Sequence, residues 1–166
     1  VISYVNTTAA VKAHTDVVVT STNARKIVDQ FPKDAKLIFG PDRNLGGYIN
    51  AVTGRNMLLW NGACHVHEQF SLEKLIELKA QYPDAKVLVH PECKKEIADL
   101  ADVVGSTQAL LNYAVDGEYT QFLVCTESGI LHEMQKRCPK KEFIPVPPAG
   151  RACANNECDY MRMNTL

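Results

Sequence analysis

Asp16-Val-Val-Val-Thr-Ser-Thr22, Ala35-Lys-Leu-Ile-Phe39 and Asn56-Met-Leu-Leu-Trp60 have counterparts later in the chain. These are Asp102-Val-Val-Gly-Ser-Thr-Gln108, Thr120-Gln-Phe-Leu-Val124 and Glu142-Phe-Ile-Pro-Val146. Asp16 and Asp102 are 86 positions apart, Ala35 and Thr120 are 85, and Asn56 and Glu142 are 86. Three blocks at one steady offset mark a duplicated unit, longer than the usual solenoid repeat. Runs such as Val17-Val-Val19 are continuously apolar. That pattern fits strands buried on both faces of a parallel sheet.

Outward from these blocks, strands are expected near 1–5, 16–20, 36–39, 56–60, 86–89, 102–104, 120–125 and 142–146. Helical patterns fill the gaps at Thr8–His14, Asn23–Gln30, Leu45–Val52, Leu72–Gln81, Lys94–Ala101, Ala109–Val115 and Ile130–Lys136. Phe31-Pro32, Tyr82-Pro83 and Cys138-Pro139 close three of them. Strand and helix in alternation give an α/β fold with right-handed crossovers. The expected domains are an α/β/α repeat with its connecting loop over 1–66, a second over 67–150 that includes its lead-in helix, and a loop segment over 151–166. Segment 61–85 reads as a linker helix between the units, with Ser71 as its N-cap and Lys74 where a capping box would place Glu.

The chain has 166 residues, 46% of them hydrophobic, which suits two small packed domains rather than a disordered tail. Net charge is −1 and no block of like charge occurs, so neither nucleic acid nor an anionic membrane is indicated as a partner. No apolar run approaches the roughly 20 residues of a membrane span. Val1 already lies inside a strand-like run, and neither a signal peptide nor an initiating Met precedes it. The chain therefore reads as a piece of a longer one. Its six cysteines do not suggest a disulfide framework, which belongs to small secreted domains without a core. Cys125 reads as a buried strand residue, and Cys138 as a structural residue at a helix end.

In parallel α/β sheets ligands gather where strands end and helices begin. That edge carries Tyr4 and Asn6, Thr20-Ser-Thr-Asn23, Pro41-Asp-Arg-Asn44, His90-Pro-Glu-Cys93, Gly105-Ser-Thr107 and Thr126-Glu-Ser128. Ser21-Thr22 and Ser106-Thr107 have two readings: helix caps, or donors to an anion at a helix start. His90 and Glu92 flank a Pro, either as plain loop residues or as an acid–base pair. Cys64 with His65 or His67, or Cys153 with Cys158, could hold zinc, although no standard finger spacing occurs. Alternatively the cysteine loops supply two thiolates to an iron–sulfur cluster, with a third from outside this chain.

Tyr4-Val-Asn-Thr-Thr-Ala-Ala-Val-Lys-Ala13, Pro41-Asp-Arg-Asn-Leu45, Trp60-Asn-Gly-Ala-Cys-His-Val-His67, His90-Pro-Glu92, Gly105-Ser-Thr107 and the tail Cys158-Asp-Tyr-Met-Arg-Met-Asn-Thr-Leu166 together resemble quinolinate synthase. The resemblance covers nearly the whole chain. It implies three homologous α/β/α domains about a pseudo-threefold axis, of which this chain holds the second and third. It also implies a [4Fe–4S] cluster with one cysteine per domain, used as a Lewis acid. The implied reaction condenses iminoaspartate with dihydroxyacetone phosphate to quinolinate, for NAD synthesis in the cytoplasm, with possible coupling to L-aspartate oxidase.

By the same resemblance Cys64 is one ligand and Cys158 the next, with Cys153 a rival because the tail departs from the family's multi-cysteine form. Tyr4, Asn6, Ser21, Ser106 and Thr107 would bind substrate carboxylate, hydroxyl or phosphate groups. His90 and Glu92 would move protons, with Tyr4 also catalytic. This chain alone is expected to be inactive. The alternatives are another three-domain iron–sulfur enzyme, of the diphthamide type, or a two-domain metabolite-binding module with structural zinc.

Overall fold

Parallel pairing of short Val-, Ile- and Leu-rich strands gives two four-stranded sheets in this computed structural model, which describes residues 1–149 and 156–163. They belong to two compact units, Val1–Cys64 and His65–Leu166. In the first unit the strands are β1 (Ile2–Tyr4), β2 (Val17–Val19), β3 (Ile38–Gly40) and β4 (Leu58–Leu59), ordered β2-β1-β3-β4. In the second they are β5 (Lys86–Val89), β6 (Val103–Val104), β7 (Gln121–Cys125) and β8 (Glu142–Pro145), ordered β6-β5-β7-β8.

Residue pairing makes the duplication explicit. Ile2 pairs with Val17 and Phe39, and Phe39 with Leu59. Leu88 pairs with Val103 and Val124, and Val124 with Pro145. Each partner thus recurs at the 85- or 86-residue offset of the sequence. The match extends to the sheet floor. Asp102 accepts the Val87 N–H at 2.8 Å, and Asp16, its counterpart, accepts from the nitrogen of Val1.

The helices of the first unit are α1 (Ala9–Lys12), α2 (Ala24–Asp29) and α3 (Arg43–Thr53). Asp42 caps α3 by accepting the Leu45 N–H, and Gly54, at φ 64°, ends it in the left-handed conformation that glycine adopts without strain. Ala24, Val28, Leu45 and Ile49 pack on the face carrying Ile2 and Phe39. The alternate residues Val18, Ile38 and Leu58 are exposed, and α1 buries no residue.

The second unit has helices on both faces. They are α4 (Leu72–Gln81), α5 (Lys95–Ala98), α6 (Thr107–Asp116) and α7 (Gly129–Arg137), and α8 (Asp159–Arg162) follows later in the chain. Leu75 of α4 and Ile97 of α5 pack with Val87, Val89, Leu123 and Cys125. Leu110 and Leu111 of α6 and Met134 of α7 pack with Leu88, Phe122 and Val124. Period-two alternation along β5 and β7 thus feeds two cores, one on each side of the sheet.

The segment read as a linker helix, and as the lead-in helix of the second repeat, is α4. Helix α4 has the expected bounds and Ser71 caps it, accepting the Lys74 N–H at 3.3 Å. Its Leu75 is wholly buried, so α4 is a layer of the second unit. Truncating such a leucine to alanine costs about 2–5 kcal/mol, which an exposed connector would not show.

Candidate active site

The carboxyl edge of the second sheet holds a buried polar cluster. Beyond β5 the ladder runs on one residue, with the His90 N–H donating to Cys125 O at 3.0 Å. The chain then turns over Pro91, and Cys93 N–H donates back to His90 O at 2.9 Å. Glu92 is folded inward by that turn. Its Oε2 lies 2.9 Å from His67 Nδ1 and 3.7 Å from His90 Nδ1. His67 comes from a 3-10 turn, His67–Gln69, that leads into α4. Its Nε2 lies 3.1 Å from Thr126 Oγ1, at the end of β7. The His67 and His90 rings stack at 4.6 Å between centroids.

All four residues are at least 95% buried. A carboxylate in such a place is costly unless paired and hydrogen-bonded, and His67 supplies the partner. Burial first, then the positive charge of His67, push the His90 imidazole down to about 3, with Glu92 pulling the other way. His90 is therefore neutral at ordinary pH. The Glu92 N–H points at His90 Nδ1 at 3.4 Å. That pattern assigns the His90 proton to Nε2, making this nitrogen a hydrogen-bond donor. The site thus combines an anchored carboxylate with a neutral imidazole donor, a pair suited to moving and placing protons.

In the first unit the register sets Tyr4 at the position of His90 and Asn6 at that of Glu92. Tyr4 is buried at the end of β1, and Asn6 is exposed. Ser21 is half-buried in a turn. The expected capping by Ser21-Thr22 is not found: α2 starts at Ala24, and Asn23 Oδ1 instead accepts the Thr20 N–H at 2.7 Å. In the second unit Ser106 is buried and caps α6 through the Ala109 N–H at 3.3 Å, with half-buried Thr107 as the first helical residue. The two Ser-Thr pairs therefore differ in role, because the register aligns Ser106 with Thr20.

Among the described cysteines the thiols sort by exposure. Cys93, Cys125 and Cys138 are buried, and burial pushes the Cys125 thiol well up. The Cys125 thiol therefore resists forming the thiolate that a metal needs. Cys64 and Cys158 are half-buried and free, each on a loop beyond the last strand of its unit. The donor chemistry of each is that of a thiolate metal ligand. Cys153 lies outside the described residues. His67 reads in the sequence as a zinc candidate beside Cys64, and in the fold its Nδ1 also lies 2.9 Å from Glu92 Oε2. Thr126 stood among the edge residues without a role. No helix among the described residues is long and apolar enough to cross a membrane.

The fold and this edge define a duplicated parallel α/β protein with a buried His–Glu cluster and, among the described residues, one half-buried thiol in each unit. The family model described as Quinolinate synthetase A protein matches residues 1–166, and the chain belongs to that family. A quinolinate synthase of Chloroherpeton thalassium is 55% identical over 166 residues. One of a Synechococcus species is 53% identical, and one of Thermosynechococcus vestitus 55%. In each case all of this chain is aligned with 52% of the relative, so the chain spans about half the length of the curated relatives it matches.

Proposed function

We propose that this chain supplies two of the three domains of a cytoplasmic quinolinate synthase, a transferase condensing iminoaspartate with dihydroxyacetone phosphate to quinolinate, phosphate and water for NAD synthesis. The observation that carries the reading beyond family membership is the buried Glu92 carboxylate, held 2.9 Å from His67 beside neutral His90. Condensation, dehydration and ring closure each shift protons between carbon, nitrogen and oxygen. Glu92 accepts and returns them. His90 donates Nε2–H to a substrate oxygen.

Tyr4, Asn6, Ser21, Ser106 and Thr107 take the carboxylate, hydroxyl and phosphate groups of the two substrates. Ser106 and Thr107 do so at the start of α6, where free N–H groups favour an anion. Cys64 and Cys158 would hold a [4Fe–4S] cluster together with a third cysteine from outside this chain. When bound, that cluster would supply Lewis acidity toward a departing hydroxyl oxygen. Unstable iminoaspartate fits coupling to an L-aspartate oxidase.

Turnover and iron content of the full-length protein test the reading together. His90→Ala and Glu92→Ala are expected to keep the iron and sulfide of the parent while losing most turnover. Full activity in either variant would overturn the acid–base assignment.

A further inference from the structure

Both cysteine loops are tied down by the same device. One turn past β3, Asp42 is 97% buried and its Oδ1 accepts the Leu45 N–H at 2.7 Å, starting α3. Its other oxygen, Oδ2, accepts the main-chain N–H of Cys64 at 2.7 Å. The Asn61-Gly-Ala-Cys64 loop is further held by Arg43 N–H donating to Gly62 O at 2.8 Å. In the second unit the pairing of Phe39 with Ile2 and of Val124 with Leu88 makes Glu127 the counterpart of Asp42. Glu127 Oε2 accepts the Gly129 N–H at 2.8 Å, at the start of α7. Its other oxygen, Oε1, accepts the main-chain N–H of Cys158 at 3.5 Å. The longer, weaker contact is backed by Asn156, whose carbonyl accepts Ser128 N–H at 3.1 Å and whose Nδ2 donates to Val146 O at 2.7 Å.

We propose that Asp42 and Glu127 are paired positioning residues for the two thiolate ligands, each joining a helix start to the backbone of the cysteine on the neighbouring loop. The inference rests on the reading of Cys64 and Cys158 as cluster ligands. Two copies of one unit, with different carboxylates and different loops, make the same pair of bonds. Capping alone would use one carboxylate oxygen and leave the other to water. Here the second oxygen takes the cysteine N–H, which fixes the Cα–Cβ direction of the thiol. It also occupies an amide hydrogen that could otherwise turn toward sulfur, one of the contacts that set a cluster's potential. Groups one step removed from a metal typically alter its retention about ten- to hundred-fold when removed.

The test uses the full-length protein and two readouts. The first is alkylation of Cys64 and Cys158 by iodoacetamide in the metal-free protein, site by site by mass spectrometry. Asp42→Ala is expected to change the Cys64 rate about tenfold while leaving Cys158 alone, and Glu127→Ala to do the reverse with a smaller factor. Asp42→Asn has one acceptor oxygen for the two N–H groups of Leu45 and Cys64, so it is expected to restore the Cys64 rate only in part. The second is iron release to a chelator after anaerobic reconstitution, faster in both alanine variants. Asn50→Ala is the control: Asn50 braces Met57 in the same unit, with bonds of 2.9 and 3.3 Å, and touches no cysteine. Equal effects of Asn50→Ala and Asp42→Ala on Cys64 would reduce Asp42 to general stability and overturn the proposal. So would an unchanged Cys64 rate in Asp42→Ala. Failure of the parent protein to take up iron would sink the cluster reading instead, with the alkylation arm still deciding Asp42.

Discussion

His67 Nδ1 stands 2.9 Å from Glu92 Oε2, and both side chains are more than 90% buried. The two are 25 positions apart and are brought together by the 3-10 turn before α4 and the Pro91 turn after β5. Removing one partner of a buried pair strands the other, at a cost of about 3–5 kcal/mol. His67→Phe in the full-length protein is therefore expected to lower stability by that order and to reduce kcat more than it raises KM. Glu92→Gln keeps the shape and removes the charge. It is expected to fold with a smaller stability change and to lose turnover. Denaturant melts and steady-state kinetics check both.

Thr126 completes the chain from β7 to Glu92, through its Oγ1 at 3.1 Å from His67 Nε2. Thr126→Val keeps the volume and deletes the hydroxyl, at about 1–3 kcal/mol for the group left unpaired. Thr126→Ser is expected to recover most of the loss in stability and in kcat. A valine variant as active and as stable as the parent would separate the hydroxyl from the site.

The neutral state of His90 has a pH signature. Its folded value of about 3 lies below the ordinary 6.5. Between those limits the unfolded chain binds the extra proton, so this residue's contribution to stability is full above about 6.5 and falls as pH drops toward 3. The parent is expected to lose more unfolding free energy than His90→Gln between neutral pH and pH of about 5. Histidine-selective NMR should also show one imidazole that stays neutral, with its proton on Nε2, through that range.

How much of this could be read from the chain depended on distance along it. The 86-residue offset reached the strand pairing intact because each copy repeats its own local pattern. Ser71 and the bounds of α4 were legible from a cap and an apolar stripe. Which sheet residues α4 packs against was not, because a helix pattern says which face is apolar and not what covers it. His90 and Glu92 were legible as strand-end residues, but His67 was hidden among possible metal ligands of its own segment. The two Ser-Thr pairs differ in local role because their letters recur one position out of register. Asp42 was visible as an edge residue, whereas its bond to Cys64 needed the bridge between Asp42 and Gly62.

Gly62 sits where that bridge leaves no room for a side chain. A Cβ there would meet Pro41 O at 2.5 Å and the Trp60 ring at 3.1 Å. Gly62→Ala is thus expected to displace the Cys64 loop, at about 1–3 kcal/mol, and to change Cys64 alkylation. The control Gly47→Ala, on α3 with open space around its Cβ, should leave thiol reactivity unchanged and raise helix stability slightly.

The central claim is that Cys64 and Cys158 hold an iron–sulfur cluster in a quinolinate synthase. Anaerobic reconstitution of the full-length protein with iron and sulfide, followed by metal analysis and visible absorbance, tests it most directly. The account predicts about four irons per chain with sulfide-to-iron charge-transfer absorbance, lost in Cys64→Ser and in Cys158→Ser. Stoichiometric zinc without iron uptake, or an intact cluster in both serine variants, would contradict it.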